Sequence, residues 1–427
     1  MTNGRTFSLV VLFLINLLNF YDRSMPGALT EPVRKEFGLT DAQVGLMGSA
    51  FIWVYAFIGI PLGRVADVWS RRKLLAWGVG IWSLMTAASG LASSFMTLLI
   101  PRMGVGVGEA VCAPTGASWI GDLFPPERRS RALALFMLGF PIGGALSFIF
   151  AGSIADAWGW RAAMVTAAAP ALLLIPALLM LREPVRGASD AVAAPAGSMW
   201  VVLRIPTMWW IIFSGALLNF NMYAIATFLP AMLGRIHHVS NARAGLGTAI
   251  TYLIGGSAGG VLAGWLGDKV VNKRTDGRML AAAALALVAV PFSYLGIIQP
   301  EGAIVFSVAM LTVTFGVLNG YYGLVYAAIQ DIVLPTQRAS TMAIYFFGMY
   351  MAGASFGPVL TGKLSDTLAR RAATAAGSVD VSEAFRATGL QQAMLVIPVL
   401  SAVLAVVLYA GSRSIIKDAA QRQRLAS

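Results

Sequence analysis

Four charged side chains stand inside stretches that are otherwise apolar: Asp22 and Arg23 near the end of the first stretch, Arg102 and Glu109 in the fourth. A full charge in hydrocarbon is costly and marks a functional position by default. Burial disfavours an ionised carboxylate and a nearby guanidinium favours it, so an acid and an arginine can switch protonation as their contacts rearrange. Those are the needs of proton coupling, which this pattern assigns to Asp22 and Glu109. Arg23 and Arg102 suit the negative head of a substrate. Arg102 and Glu109 are seven residues apart, two helical turns, and so share a face. The competing use is a structural cluster of ion pairs that locks the first span to the fourth.

A second group is polar without charge. Asn219 and Tyr223 fall in the seventh stretch, Asn319, Tyr322 and Tyr326 in the tenth at i, i+3 and i+7, and Tyr345 with Met349 in the eleventh. Amide and phenol groups in hydrocarbon need partners or a wet cavity. They are expected to line a substrate site, with an amphiphile's charged head near Arg23 and Arg102 and its tail along the aromatic and Met-rich faces; helix packing is the competing use. His237 and His238 are adjacent, in an expected outside loop, so no metal site is expected. No Walker loop or nucleophile elbow is present. The chain is expected to be no enzyme, with no catalytic residues and no cofactor. Its one cysteine, Cys112, has no partner for an intrachain disulfide and reads as a small packed residue.

The elements that must position these groups follow from composition. Of 427 residues, 58% are hydrophobic and 12% charged, about half the charged share of a soluble domain. That excludes an ordinary soluble enzyme or a disordered chain and leaves a polytopic membrane protein. Twelve apolar runs of about 20 residues can each cross the bilayer as a helix. The fold class is all-α, twelve transmembrane helices in two parallel six-helix repeats. The expected domains are an N-terminal six-helix bundle at residues 1–181, a cytoplasmic linker at 182–202, and a C-terminal six-helix bundle with a cytoplasmic tail at 203–427. The repeat is visible in the residues: Leu18-Asn19-Phe20 returns as Leu218-Asn219-Phe220, Gly45 as Gly245, Asp122 as Asp331 and Asp156 as Asp366. Parallel repeats place a site between halves near the midplane, a transporter architecture.

The net charge of +12 reads as cytoplasmic loops and not as nucleic-acid binding, because basic residues cluster on one side when the N-terminus is placed inside. Both termini are then cytoplasmic. The first apolar stretch runs into Asn16, Asn19, Asp22 and Arg23 with no small-residue cleavage site, so it is expected to stay as a span. The Ala-heavy composition points to a bacterial inner membrane. The expected partners are the lipid bilayer, protons and an amphiphilic or anionic small molecule, with the chain acting as a monomer.

Between spans 2 and 3 stands Gly63-Arg64-Val65-Ala66-Asp67-Val68-Trp69-Ser70-Arg71-Arg72-Lys73, with a degenerate copy from Gly264 to Asp268. This string resembles the loop signature of the major facilitator superfamily. Arg102-x-x-x-Gly106-x-Gly108-x-Ala110 and Gly139-x-Pro141-x-Gly143-Gly144 are similar to its fourth-span and fifth-span motifs, and the glycines read as packing positions. The strings Leu17 to Arg23, Gly106 to Ala110, Asp122-Leu123-Phe124-Pro125 and Arg128-Arg129-Ser130-Arg131 are similar to the Spinster branch. The resemblance implies alternating access, a cytoplasmic latch built from Asp67, Arg71, Arg128, Arg131 and Asp268, and a lysolipid-like cargo such as a lysophospholipid or sphingosine 1-phosphate. Small organic anions such as sugar acids, or drugs moved outward, are the alternative cargoes.

Overall fold

A computed structural model describes residues 2–185, 199–271, 274–333 and 338–426, and they are helical throughout their length apart from short connections. We label the helices α1 (Thr2–Ala28), α2 (Thr30–Phe37), α3 (Asp41–Val68), α4 (Arg71–Ser89), α5 (Phe95–Glu109), α6 (Cys112–Leu123), α7 (Pro126–Met137) and α8 (Gly139–Met180). The second set is α9 (Pro206–His237), α10 (Asn241–Ile250), α11 (Gly256–Val271), α12 (Gly277–Ile297), α13 (Ile304–Ile332), α14 (Arg338–Met349), α15 (Gly357–Ala375), α16 (Glu383–Met394) and α17 (Val396–Ala426).

Ten helical stretches among the described residues are long and apolar enough to cross a membrane. Two more spans complete the set of twelve. The stretch Arg131–Met180 is two spans, because Gly159 at φ 85 breaks α8 with a backbone angle that favours glycine. Helix α4 opens on three basic residues, which shortens its apolar run.

Several spans are broken, and at four of the breaks a proline stands four residues further on. A proline lacks the N–H that would bond the carbonyl four residues earlier. Pro114 frees the carbonyl of Ala110, where α5 gives way to α6; Pro141 frees Met137, the last residue of α7; Pro398 frees Met394, the last residue of α16. Pro358 frees Ala354, the end of a π-helical turn at Tyr350–Ala354. Span 8 carries a second π turn, Thr251–Gly255. One departure concerns an end. Helix α9 runs to His237, so His237 is a buried helical residue and not part of the expected outside loop. The short helix α2 follows the first span.

The chain forms two compact units, Met1–Ala193 with Val239–Ala249, and Ala194–His238 with Ile250–Ser427. Most of the expected linker, residues 186–198, lies outside the described residues. In the first unit α1 packs along α8, and α4 packs on both α5 and α8. The approach of α1 to α8 is set by glycine: a Cβ on Gly143 would run into the Leu17 carbonyl oxygen, and one on Gly139 would lie 2.9 Å from the Leu17 amide. Within the second unit the same device recurs, where Gly353 and Gly357 meet the backbone of Ala216 and Phe220 on α9. In hydrocarbon, helices gain little from hydrophobic burial, so close backbone approach at small residues supplies the packing energy.

Candidate functional site

The four intramembrane charges meet as two ion pairs inside the first unit. Arg102 on α5 reaches Asp22 on α1 with Nη1 3.2 Å from Oδ1, and Arg23 places Nε 2.9 Å from Glu109 Oε2. Both carboxylates are buried: Asp22 is 4% exposed and Glu109 is fully enclosed. Thr86 of α4 donates its hydroxyl to the second Asp22 oxygen at 2.5 Å. Its signal in the sequence was one of three hydroxyls, Ser83, Thr86 and Ser89, in an otherwise apolar helix, which sequence reasoning passed over. Arg23 is also walled by aromatic faces, its guanidinium 5.0, 5.4 and 4.5 Å from the ring centres of Phe20, Phe51 and Tyr55. Three rings and a carboxylate thus surround this cation.

The backbone explains why Arg102 comes to Asp22. Pro26, inside α1, has no N–H to return to the Asp22 carbonyl. Arg102 Nη2 donates to that carbonyl at 3.3 Å instead. One guanidinium thus serves both the side chain and the main chain of Asp22.

The cluster is not saturated. Arg102 Nε, Glu109 Oε1, and both amide atoms of Asn19 are buried without a hydrogen-bond partner. Asn19 lies three and four residues before Asp22 and Arg23, on their side of α1. Buried polar atoms in proteins are nearly always satisfied, by protein or by water or ligand. The arrangement can therefore take up a proton, water or a polar group between the two ion pairs.

In the second unit the neutral polar residues are brought together as well. Asn219 accepts from the Tyr322 hydroxyl at 3.2 Å and donates to the Gly215 carbonyl, while Asn319 donates to the Gly256 carbonyl at 2.9 Å beside the π turn. Tyr322, Tyr326, Tyr345 and Phe346 form a chain of ring contacts, with Tyr326 5.6 Å from Tyr322 and 5.7 Å from Tyr345. Tyr223 meets Tyr350 edge to face at 6.3 Å. Tyr321, missed in the sequence because it lies off the i, i+3, i+7 stripe, links Ser214 at 2.7 Å to the Tyr345 hydroxyl at 3.2 Å. Met349 is buried. These rings touch one another, while Tyr223, Tyr322 and Tyr326 each keep part of their surface exposed. A half-open apolar groove of about 380 Å³ lies between α9, α15 and the start of α17.

At the ends of α4 and α12 the basic residues are also paired. Arg71 lies 2.6 Å from Asp122 and 3.4 Å from Glu183, and donates to Ser118. Glu183 receives the Ser70 hydroxyl at 2.8 Å and the Arg71 amide at 3.0 Å, so it caps the N-terminus of α4. Partial burial pushes the Glu183 carboxyl up, but the Arg71 and Arg72 amides, the Ser70 hydroxyl and the Arg71 charge together hold it below its ordinary value of 4.5. The Arg71 and Asp122 pairing has a counterpart in the second unit, Arg278 with Asp331. Glu183 and Arg278 were not singled out in the sequence, Glu183 because it sits in a segment that reads as linker. Arg128 and Arg131 are exposed on α7, and the side chains of Asp67 and Asp268 lie outside the described residues.

Among the described residues no three His, Cys, Asp or Glu side chains gather as a metal site. Residues 12–358 match the model of the Major Facilitator Superfamily. An MFS-type efflux pump of Mycolicibacterium smegmatis is 31% identical over 362 residues, 84% of each chain. Protein spinster homolog 1 of Mus musculus is 29% identical over 405 residues, 86% of this chain and 74% of that one. Among solved structures, a bacterial homologue of the human lysosomal transporter Spinster, in an inward-facing and unoccupied conformation, superposes with a TM-score of 0.88 at 27% identity, over 98% of this chain and 99% of that chain. With twelve spans in two repeats of six and two buried acid–arginine pairs, the chain belongs to the major facilitator superfamily and is a membrane transporter of its Spinster branch.

Proposed function

We propose that the protein is a proton-driven carrier of an amphiphilic, lysolipid-like substrate, working by alternating access. The observation that supports this reading most is the pairing of Asp22 with Arg102 and Glu109 with Arg23 around four unsatisfied polar atoms. A carboxylate left in hydrocarbon by its arginine takes a proton more readily than it stays charged. When the negative head of a substrate draws an arginine away, a proton on Asp22 or Glu109 balances the change, and return of the arginine expels it. Substrate binding at the guanidinium and proton binding at the carboxylate thus accompany each other. Asn219, Tyr223, Asn319, Tyr322, Tyr326, Tyr345 and Met349 form the second unit's side of the substrate site, and Asp67, Arg71, Arg128, Arg131 and Asp268 gate the cytoplasmic end. Both termini lie in the cytoplasm of a bacterial inner membrane, and the carrier works as a monomer.

The test is transport in proteoliposomes with an imposed pH gradient. Wild type should accumulate a lysophospholipid against its gradient and lose that accumulation when the pH difference is collapsed by an ionophore. Accumulation that ignores the pH difference ends the coupling reading. The relative described as an efflux pump favours a second cargo class, hydrophobic drugs moved outward; competition of such compounds with the lysophospholipid in the same vesicles separates the two.

A further inference from the structure

We propose that Asp156 is a positioning residue of the transport cycle, the latch that holds the outer end of span 8 against span 5 and is released when that end opens. The inference rests on the alternating-access reading and does not depend on the cargo.

The place follows from counting spans. After five and after seven crossings the chain stands on the side of the membrane opposite its N-terminus. The end of span 5 and the start of span 8 therefore share one side, the outer one when the termini are cytoplasmic. There Asp156 accepts two hydrogen bonds from the head of α10. The Asn241 side-chain amide donates to Oδ1 and the Ala242 main-chain amide donates to Oδ2, each at 2.7 Å. A carboxylate at a helix N-terminus meets both the unpaired amides and the positive end of the helix dipole. Deeper in the membrane the same two faces meet through backbone. A Cβ on Gly152, one turn before Asp156, would lie 2.7 Å from the Asn241 carbonyl oxygen, and one on Gly245 would run into that of Phe148.

This cap comes from the other repeat. Gly45 of span 2 is the match of Gly245, and its helix α3 is capped from within by the side chains of Thr40 and Gln43. From its own segment α10 has the Ser240 hydroxyl, 3.4 Å from the Arg243 amide, and the shorter bonds come from span 5. A helix can thus cap itself at this position of the repeat, whereas a cap supplied by span 5 ties two ends together. In a carrier of two parallel repeats the site lies between the repeats, so tying span 5 to span 8 shuts the outer path. Asp156 is exposed, so water can replace its two bonds at small net cost, as a part that opens and closes requires.

Span 8 is also divided where its outer end would part from the rest. Val239–Ala249 groups with the first compact unit, and the chain from Ile250 groups with the second. The π turn Thr251–Gly255 stands at that boundary, and such turns are frequent at functional positions. At its end a Cβ on Gly255 would lie 2.6 Å from the Thr312 carbonyl oxygen of α13, and one on Gly259 would run into that of Gly316. Span 8 is held by span 5 before the π turn and by span 10 after it.

The test reads the outer end directly. Cys112 is the chain's one cysteine and is buried. Ala249, 3% exposed and one turn beyond Gly245, is replaced by cysteine, and its reaction with a membrane-impermeant thiol reagent is followed in the full-length carrier. Adding Asp156→Ala should raise the labelling rate about tenfold, the change that about 1.4 kcal/mol of capping energy sets. Asp156→Asn, which keeps one acceptor oxygen, should raise it less. A role in folding alone would lower the melting temperature and leave the labelling rate unchanged, and that result overturns the latch. In a second arm, Asp156→Cys and Asn241→Cys are joined in proteoliposomes by a short bifunctional methanethiosulfonate. Lysophospholipid transport should stop and return on reduction; transport that continues through the crosslinked protein overturns the latch as well. A wild type that moves no lysophospholipid overturns the lipid reading, and the labelling arm, which needs no cargo, still decides the latch.

Discussion

Arg102 holds Asp22 twice, by the carboxylate at 3.2 Å and by the main-chain carbonyl at 3.3 Å that Pro26 leaves without a helical donor. Movement of Arg102 therefore costs two interactions at one residue, and the helix supplies no replacement for the second. The proposed cycle requires a second position of Arg102, and these two contacts are what such a move would break.

Replacing Pro26 by Ala offers the Asp22 carbonyl an N–H of its own helix. Pro26→Ala should leave thermal stability equal or higher, because an interior proline in a helix costs about 3 kcal/mol relative to Ala. It should slow proton-driven uptake severalfold while substrate binding persists, since Arg102 loses one of its two anchors. Unchanged uptake rates in proteoliposomes would show that the carbonyl contact plays no part in the cycle.

Asp22→Asn and Glu109→Gln keep shape and remove titration. Each should abolish accumulation against a gradient and leave binding within about tenfold. Arg102→Ala should weaken binding and lower the melting temperature, because it leaves a buried carboxylate without its counter-charge. Measured side by side, carboxylate variants that still accumulate substrate would reduce both pairs to structural locks.

Arg71 carries Asp122 and Glu183 at once while almost wholly enclosed. Arg71→Ala should destabilise the protein by on the order of 3 kcal/mol, read as a fall of several degrees in melting temperature. The pair in the second unit, Arg278 with Asp331, is more exposed, and Arg278→Ala should cost less. Equal losses would mean that burial does not set the difference.

The Glu183 carboxyl titrates lower in the folded protein than its ordinary value of 4.5. Its contribution is therefore complete above that value and is lost as pH falls through the lower folded value. The melting temperature of wild type should decline between about pH 5 and about pH 3, and Glu183→Gln should flatten part of that decline. A variant with the wild-type pH slope would assign the decline to other carboxylates.

Gly143 lies where a Cβ would meet the Leu17 carbonyl oxygen. Backbone cannot yield as a side chain can, so Gly143→Val should cost about 1–3 kcal/mol through overpacking. Exposed Gly4, with open space around it, serves as the control: Gly4→Ala should leave the melting temperature unchanged.

Much of this protein is determined by sequence alone. Hydrocarbon leaves a helix as the cheap way to pair every backbone group, so apolar runs of about 20 residues fix the spans without tertiary detail. The repeated Leu-Asn-Phe, Asp122 with Asp331, and the four intramembrane charges could be read from spacing. The breaks at Ala110, Met137, Ala354 and Met394 could not, because Pro101, Pro170 and Pro230 lie inside helices without breaking them. What spacing does not carry is which partner a side chain meets across helices. Asp22 and Arg23 are neighbours, yet they point to Arg102 and Glu109 respectively. Thr86, Tyr321 and Glu183 join the sites only through contacts between helices far apart in the chain. Which rings of an aromatic stripe meet is likewise decided by packing: Tyr326 touches both Tyr322 on its own helix and Tyr345 on another. Helix periodicity gives each residue a face, and only the approach of the next helix, set here by glycines against backbone, decides what that face touches.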